Sequence, residues 1–164
     1  MELLNPGKQQ KVYEGDPLAP AKWPADALFA ITMMASPLGW MELSDVSPDV
    51  RAAWKPLVSR WKKERAAMHS GTIVPIGAEP DGWSWTGFFS CAKDASCAYA
   101  LVFRELNAKD EFDIDLSPMV PAGMKFSKAE VVGGRGRAGL DGDGLELEVE
   151  VPAKLDFVWV KLVK

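Results

Sequence analysis

The sequence has few of the residues on which most metal sites and catalytic triads depend. Its 164 residues include one histidine, His69, and two cysteines, Cys91 and Cys97, which lack the CxxC spacing of a zinc ligand pair. We therefore expect no metal and no other cofactor, and histidine-based chemistry is nearly excluded. Two cysteines are also too few for a disulfide framework, so we expect free thiols rather than a disulfide across a hairpin. Free thiols in turn favour a reducing compartment such as the cytoplasm.

The sequence also lacks long apolar runs and an excess of positive charge. The most apolar run, residues 27–35, is about half as long as the ~20 residues that a membrane-spanning helix needs. The first ten residues do not have the charged-then-apolar order of a secretory signal. Nineteen basic against 23 acidic residues give a net charge of -4, without the basic surface that nucleic acid requires. We expect neither a membrane nor a nucleic acid as a partner.

The chain does have enough apolar residues for a folded core, and it has many tryptophans. Hydrophobic residues make up 48% and charged residues 26% of the sequence, which is typical of a globular domain. Tryptophan fills cores and also stacks on sugar rings, so composition alone leaves both roles open. The seven tryptophans are Trp23, Trp40, Trp54, Trp61, Trp83, Trp85 and Trp159.

The spacing of apolar residues changes near residue 70, and we place a domain boundary there. Residues 1–70 have helical spacing, whereas residues 71–164 have the alternation of strands separated by Gly, Pro, Asn and Asp. In the first region a helix is predicted over 25–35. A second helix is predicted from Ser47, where a hydroxyl cap is followed by proline and aspartate. Pro56 should kink or restart this second helix.

Residues 71–164 predict an antiparallel β-sandwich of about seven or eight strands, because short strand patterns follow one another with no helix between them. In one strand Glu146, Glu148 and Glu150 alternate with aliphatic residues, so the acidic side should face water. The last strand, 155–162, is apolar on both sides and must be covered twice, with the helical region on its second face. The fold class is therefore mainly β, with a two-helix segment in front.

Three polar patterns are better explained by simple structural roles. Asp113 and Asp115 lie two apart on a predicted strand, about 7 Å from each other, and paired carboxylates cleave glycosides in some enzymes. Their alternation with apolar residues instead favours a solvated strand face. Segment 141–144 lacks the distal ligands of a calcium loop, and the Gly- and Arg-rich segment 133–137 is not followed by a helix. Both segments are predicted to be turns.

The best candidates for direct ligand binding are Trp83 and Trp85. They lie two apart in the predicted strand 83–91, so their indoles would share one face and form an aromatic platform for a sugar ring. Pairs of tryptophans on a strand also serve as core or interdomain packing, and the sequence leaves both alternatives open. Trp54 and Trp61 have helical spacing and are predicted to be core residues.

Five stretches, in this order along the chain, carry a resemblance to a known enzyme family. They are Gly-Asp-Pro-Leu-Ala-Pro at 15–20, Ala-Ser-Pro-Leu-Gly-Trp-Met-Glu-Leu-Ser at 35–44, Lys-Lys-Glu-Arg at 62–65, His-Ser-Gly-Thr-Ile-Val-Pro-Ile-Gly at 69–77 and Trp-Ser-Trp-Thr-Gly-Phe at 83–88. Together they resemble the C-terminal end of α-galactosidase-like glycoside hydrolases of family 36 and its relatives. In that family a (β/α)8 barrel is followed by an antiparallel β-domain.

The resemblance implies that residues 1–70 correspond to the last βα units of the barrel and residues 71–164 to its β-sandwich. A complete barrel needs about 250 residues, so this chain does not contain one. The two catalytic aspartates of the family lie upstream of the resembling stretches, and no residue here matches either of them. The resemblance therefore implies an accessory region of a retaining glycoside hydrolase, with no catalytic residue of its own.

The resemblance also implies a partner, which is the catalytic barrel of the parent hydrolase. Without that barrel we expect an apolar patch through which the chain self-associates. One alternative is a stand-alone carbohydrate-binding module that uses Trp83 and Trp85. A second alternative is a small enzyme that uses Asp113 or Asp115.

Overall fold

The computed structural model describes residues 4–7, 11–39 and 43–164. Outside the described residues lie three residues of the resembling stretch 35–44, namely Trp40, Met41 and Glu42. Most of the first ten residues, whose order does not match a secretory signal, also lie outside them. The chain divides into two compact units, Met1–Lys63 and Glu64–Lys164.

Helix α1 spans Ala25–Ala30 and starts directly after Pro24, as the sequence predicts. It is shorter than the predicted range 25–35, because the chain continues in tighter turns. The N–H groups of Thr32 and Met33 donate to carbonyls three residues back, and the hydroxyl of Thr32 donates to Phe29 O at 2.7 Å. Such local bonds compete with the regular helical pattern and end the helix.

Helix α2 spans Pro48–Met68 and begins at the predicted start signal. The N–H of Val50 donates to Ser47 Oγ at 3.4 Å, and Pro48 stands in the first turn, where its missing N–H costs nothing. The chain stays helical across Pro56, so the helix is not restarted there.

Two tryptophans of α2 pack within the first unit; Trp54 is a core residue, as its helical spacing predicts, whereas Trp61 is only half-buried. The indole N–H of Trp54 donates to Ala25 O at 2.6 Å, and that of Trp61 donates to Met33 O at 3.0 Å. Trp61 also meets Phe29 edge-on, with ring centroids 5.9 Å apart. Both indoles therefore satisfy their polar N–H while their rings are packed.

The region after α2 forms two antiparallel sheets, so the protein is mainly β, as predicted. Within the described residues there are eight strands: β1 Ile73–Gly77, β2 Trp85–Cys91, β3 Cys97–Arg104, β4 Glu111–Asp115, β5 Lys128–Gly134, β6 Arg137–Leu140, β7 Glu146–Glu150 and β8 Asp156–Val163. One sheet has the order β1-β2-β3-β8-β5 and the other the order β4-β7-β6. The predicted turn at 133–137 contains the connection from β5 to β6, and the predicted turn at 141–144 lies in the connection from β6 to β7.

The core lies between the two sheets, and the central strands β3 and β8 are dry on both faces. Toward the second sheet they contribute small and β-branched side chains such as Ala100, Val102 and Val158. On the opposite face Leu101 and Trp159 are also fully buried. The prediction that the last strand is covered twice is therefore confirmed.

A buried arginine links the end of β3 to the second sheet. Arg104 is 5% exposed, and its guanidinium donates to four backbone carbonyls at 2.8–3.1 Å, those of Asn107, Ala108, Val151 and Pro152. A buried cation is tolerated only where hydrogen bonds replace its hydration. The planar, five-donor guanidinium suits this task, because its donors point in fixed and divergent directions.

Replacing Arg104 by lysine should therefore destabilise the protein. A lysine keeps the charge but has a single ammonium group, so several of the four carbonyls lose their donor. We expect Arg104→Lys to lower the free energy of unfolding by about 2–4 kcal/mol. Urea denaturation of the full chain measures this value. The matched control is Arg137→Lys, at a side chain that is 85% exposed, where we expect a change below about 0.5 kcal/mol. Equal effects in both variants would contradict the role of Arg104.

Candidate functional site

Trp83 and Trp85, the predicted binding residues, lie in different environments. Strand β2 begins at Trp85, so Trp83 lies in the preceding loop and does not share a strand face with it. Trp83 is 62% exposed, whereas Trp85 is 6% exposed and stacks on Phe112 of β4, with ring centroids 5.4 Å apart. A platform of two exposed indoles is therefore not formed, and Trp83 alone of this pair faces solvent.

The loop that carries Trp83 joins β1 to β2 and is held in place by Asp81. Asp81 Oδ1 accepts hydrogen bonds from the N–H groups of Trp83 and Ser84, both at 2.8 Å, and Oδ2 accepts one from the hydroxyl of Ser84 at 3.0 Å. These bonds lower the pKa of Asp81. The loop thus presents an indole to solvent from a backbone that is fixed locally.

The open face of the three-stranded sheet carries a groove of about 430 Å³ lined by residues of β4, β6 and β7. Across β4 and β7, three pairs of like charges lie directly opposite each other: Glu111 and Glu150, Asp113 and Glu148, and Asp115 and Glu146. Arg137 approaches Glu150 at 3.7 Å. Because carboxylates outnumber the one arginine, the groove is a strongly negative surface. In the described part of the chain, however, no group of three or more His, Cys, Asp or Glu side chains is arranged to hold a metal ion.

The alternation of Asp113 and Asp115 with apolar residues predicts their solvated character, but it does not predict the pairing that brings them opposite Glu148 and Glu146. Both aspartates are exposed. The hydrogen bonds from Ser117 lower the pKa of Asp115, which keeps this carboxylate ionised. A general acid needs a raised pKa, so Asp115 is poorly suited to that role. Segments 111–115 and 146–150 both alternate acidic and apolar residues, which predicts one acidic face for each strand but not that the two strands pair.

Directly opposed like charges destabilise an antiparallel pair, so a charge reversal in the middle of this row should stabilise the protein. Glu148 faces Asp113 across β7 and β4 and has Glu146 and Glu150 on either side of it along β7, so a lysine there would meet mainly acidic neighbours, with Arg137 of β6 as the exception. We expect Glu148→Lys to raise the free energy of unfolding by about 0.5–1 kcal/mol at low salt, and by less at high salt. The matched control is Glu79→Lys in the exposed β1–β2 loop, which changes the net charge equally. A gain of the same size in the control would contradict the pairing.

The last turns of α2 are bonded into the five-stranded sheet. Glu64 Oε2 accepts hydrogen bonds from the hydroxyl of Tyr99 at 2.8 Å and from Lys161 Nζ at 2.9 Å. Burial, chiefly, raises the pKa of Tyr99, so the phenol stays protonated and keeps donating. The ammonium of Lys161 also lies 5.7 Å from the centroid of the Tyr99 ring. Glu64 thus joins helix α2 to both central strands.

The chain that leaves α2 is fixed at three further points. Ser90 Oγ donates to Met68 O at 2.5 Å, and the N–H of Lys93 donates to Ser70 Oγ at 3.0 Å. Gly71 passes so close to β2 that a Cβ on it would lie 1.8 Å from the carbonyl oxygen of Cys91. Only glycine fits this position. We call residues Glu64–Gly71 together with these contacts the helix–sheet junction.

The two cysteines are free thiols, as predicted. The register pairs Cys91 with Ala98, so Cys91 lies on the core face, whereas Cys97 lies on the same face as Tyr99. Neighbouring residues of a strand pair that point to opposite faces are not joined by a disulfide. Burial raises the pKa of Cys91, which keeps this thiol protonated.

A scan against models of known protein families finds no match to this chain, and a comparison with curated proteins finds none either. In the described ranges, none of the helices is long and apolar enough to cross a bilayer.

Proposed function

We propose that this chain is an accessory β-sandwich region of an α-galactosidase-like glycoside hydrolase, and that it supports the catalytic (β/α)8 barrel without catalysing. The proposal combines the resemblance of the sequence with one structural observation, the helix–sheet junction. The stretches 62–65 and 69–77, which carry part of the resemblance, overlap this junction at residues 64–65 and 69–71. A supporting domain needs such a fixed connection between its sheet and the helix that leads into it.

The junction is suited to hold the end of α2 at a constant position. Its hydrogen bonds involve the buried Tyr99 and Ser90, where water does not compete with them. The bond to Met68 O also satisfies one of the carbonyls that the end of a helix leaves without a partner. Helix and sheet are thus joined by several bonds that would have to break together.

The distribution of carboxylates supports a role other than catalysis. Retaining hydrolysis needs two carboxyl groups about 5–5.5 Å apart, one of them with a raised pKa and within reach of the sugar. Of the acidic residues that line the groove, Glu111, Asp113 and Glu148 are exposed and Glu150 is half-buried, and the pKa of the neighbouring Asp115 is lowered. Glu105 does have a raised pKa, but its residue is 8% exposed, so it does not reach an external glycosidic oxygen.

The catalytic alternative is tested by assaying the full chain with an aryl α-galactoside. We expect no hydrolysis above the uncatalysed rate. Hydrolysis that disappears in the double variant Asp113→Asn and Asp115→Asn would show that the chain is an enzyme and would overturn the accessory role.

The supporting role is tested with a family 36 catalytic barrel expressed without its own C-terminal β-domain. Added wild-type chain should raise the melting temperature of that barrel, because a ligand that binds the folded state stabilises it. The double variant Glu64→Ala and Ser90→Ala, checked for its fold by circular dichroism, should give a smaller increase. Failure of the wild-type chain to stabilise the barrel would contradict the proposal. Sedimentation velocity of the chain alone would report the self-association expected in the absence of a barrel.

Carbohydrate binding is a second candidate function, and the exposure of Trp83 favours it. One indole offers a single stacking surface, so we expect binding of galactose in the millimolar range, detected by NMR shifts of the Trp83 indole. Trp83→Ala should abolish the response, whereas Trp83→Phe keeps an aromatic face and should retain part of it. A wild-type chain whose Trp83 signal does not respond to galactosides would exclude this function.

A further inference from the structure

One carboxyl group of the second unit is buried without a full set of hydrogen-bond donors. Glu105 follows β3 and is 8% exposed. Its Oε1 accepts a long hydrogen bond of 3.4 Å from the hydroxyl of Thr86, and among the described residues no group donates to Oε2. An ionised carboxylate in such a place loses the hydration of one oxygen without compensation, which is costly.

Glu105 lies where the β1–β2 loop, residues 78–84, is attached to the sandwich. The N–H of Glu105 donates to Ser84 O at 3.3 Å, and the N–H of Leu106 donates to Gly82 O at 3.1 Å. On its other side, the carbonyl of Glu105 accepts from the N–H of Leu155 at 3.2 Å. The two bonds to the loop are therefore next to the buried carboxyl in the chain, and the loop they hold carries the exposed Trp83.

The groups around the carboxyl favour its neutral form. Burial raises the pKa of Glu105, and the nearby carboxylate of Asp81 in the loop raises it further. The nearby backbone of Gly82 and Ser84 in the loop and the hydroxyl of Thr86 on β2 lower the pKa of Glu105, but burial outweighs them. The contact with Leu155 involves the backbone and adds no charge. The loop therefore places a negative charge beside the buried carboxyl and no positive charge to balance it.

We propose that the protonation of Glu105 controls the attachment of the Trp83 loop. When Glu105 carries its proton, the carboxyl is neutral and the loop stays closed over it. When Glu105 releases the proton to water, the carboxylate is better solvated with the loop open, and the repulsion from Asp81 acts in the same direction. This inference does not depend on the accessory role of the chain.

The direction of the pH effect follows from the raised pKa. In the open state Glu105 is solvated and titrates near the ordinary value of about 4.3. The closed state is therefore most favoured below that pH, and its advantage is lost as the pH rises through the raised pKa of the closed state. Each unit by which the two pKa values differ changes the ratio of open to closed loop about tenfold.

The test is amide hydrogen exchange of the full chain, followed by NMR at the N–H groups of Glu105 and Leu106 between about pH 4 and pH 8 and corrected for the intrinsic exchange rate. We expect protection of both amides to fall across this range, about tenfold for each unit by which the pKa of Glu105 is higher in the closed than in the open state, with a midpoint that coincides with the titration of the Glu105 carboxyl carbon. In Glu105→Gln, which is neutral at every pH, protection should not depend on pH. In the control Glu111→Gln, on the exposed face of β4, the fall should persist.

Two results would overturn the proposal. One is amide protection that fails to respond as expected: either it does not change with pH in the wild-type chain, or it falls equally in Glu105→Gln. The other is a Glu105 carboxyl carbon in the wild-type chain that titrates near the ordinary value of about 4.3. This second measurement stays decisive even if the glutamine variant does not fold.

Discussion

The structure depends on two strands that are dry on both faces. Because β3 and β8 pair with each other along their whole length and expose almost nothing, each face needs its own cover. The second sheet covers one face, and the end of α2 is bonded to the other through Glu64. The buried charges at the ends of these strands then depend on nearby hydrogen-bond partners. Arg104 finds four carbonyls, and Asp156 accepts two hydrogen bonds from Arg135 at 2.7 and 2.8 Å.

This constraint explains which parts of the fold could be predicted. The double burial of residues 155–162 is a local property of the sequence, because apolar residues on both sides of a strand leave no wet face. The single wet face of β7 is local in the same way, as is the capped start of α2 at Ser47. Strand β6 has no comparable local signal, because its four residues, with Gly139 among them, are too few to show a period. Pairing with β7 holds these four residues in an extended strand.

The candidate sites show the limit of local patterns more clearly. Trp83 and Trp85 have the spacing of one strand face, yet the strand starts only at Trp85 and a ring from the other sheet, Phe112, covers that indole. The opposition of acidic residues across β4 and β7 is likewise a matter of register between distant segments. Single-sequence patterns specify which face of a strand is polar, but they do not specify which strand will lie beside it.

The two outer surfaces of the sandwich differ in a way that bears on its role. The face bonded to α2 is apolar and buried, whereas the open face of β4, β7 and β6 carries rows of opposed carboxylates. Opposed like charges are unfavourable within the chain, so this face is not optimised for stability alone. It also repels any acidic surface that approaches it. The accessory role that we propose would use the other side of the sandwich, on which burial and hydrogen bonding already hold the end of α2 in place.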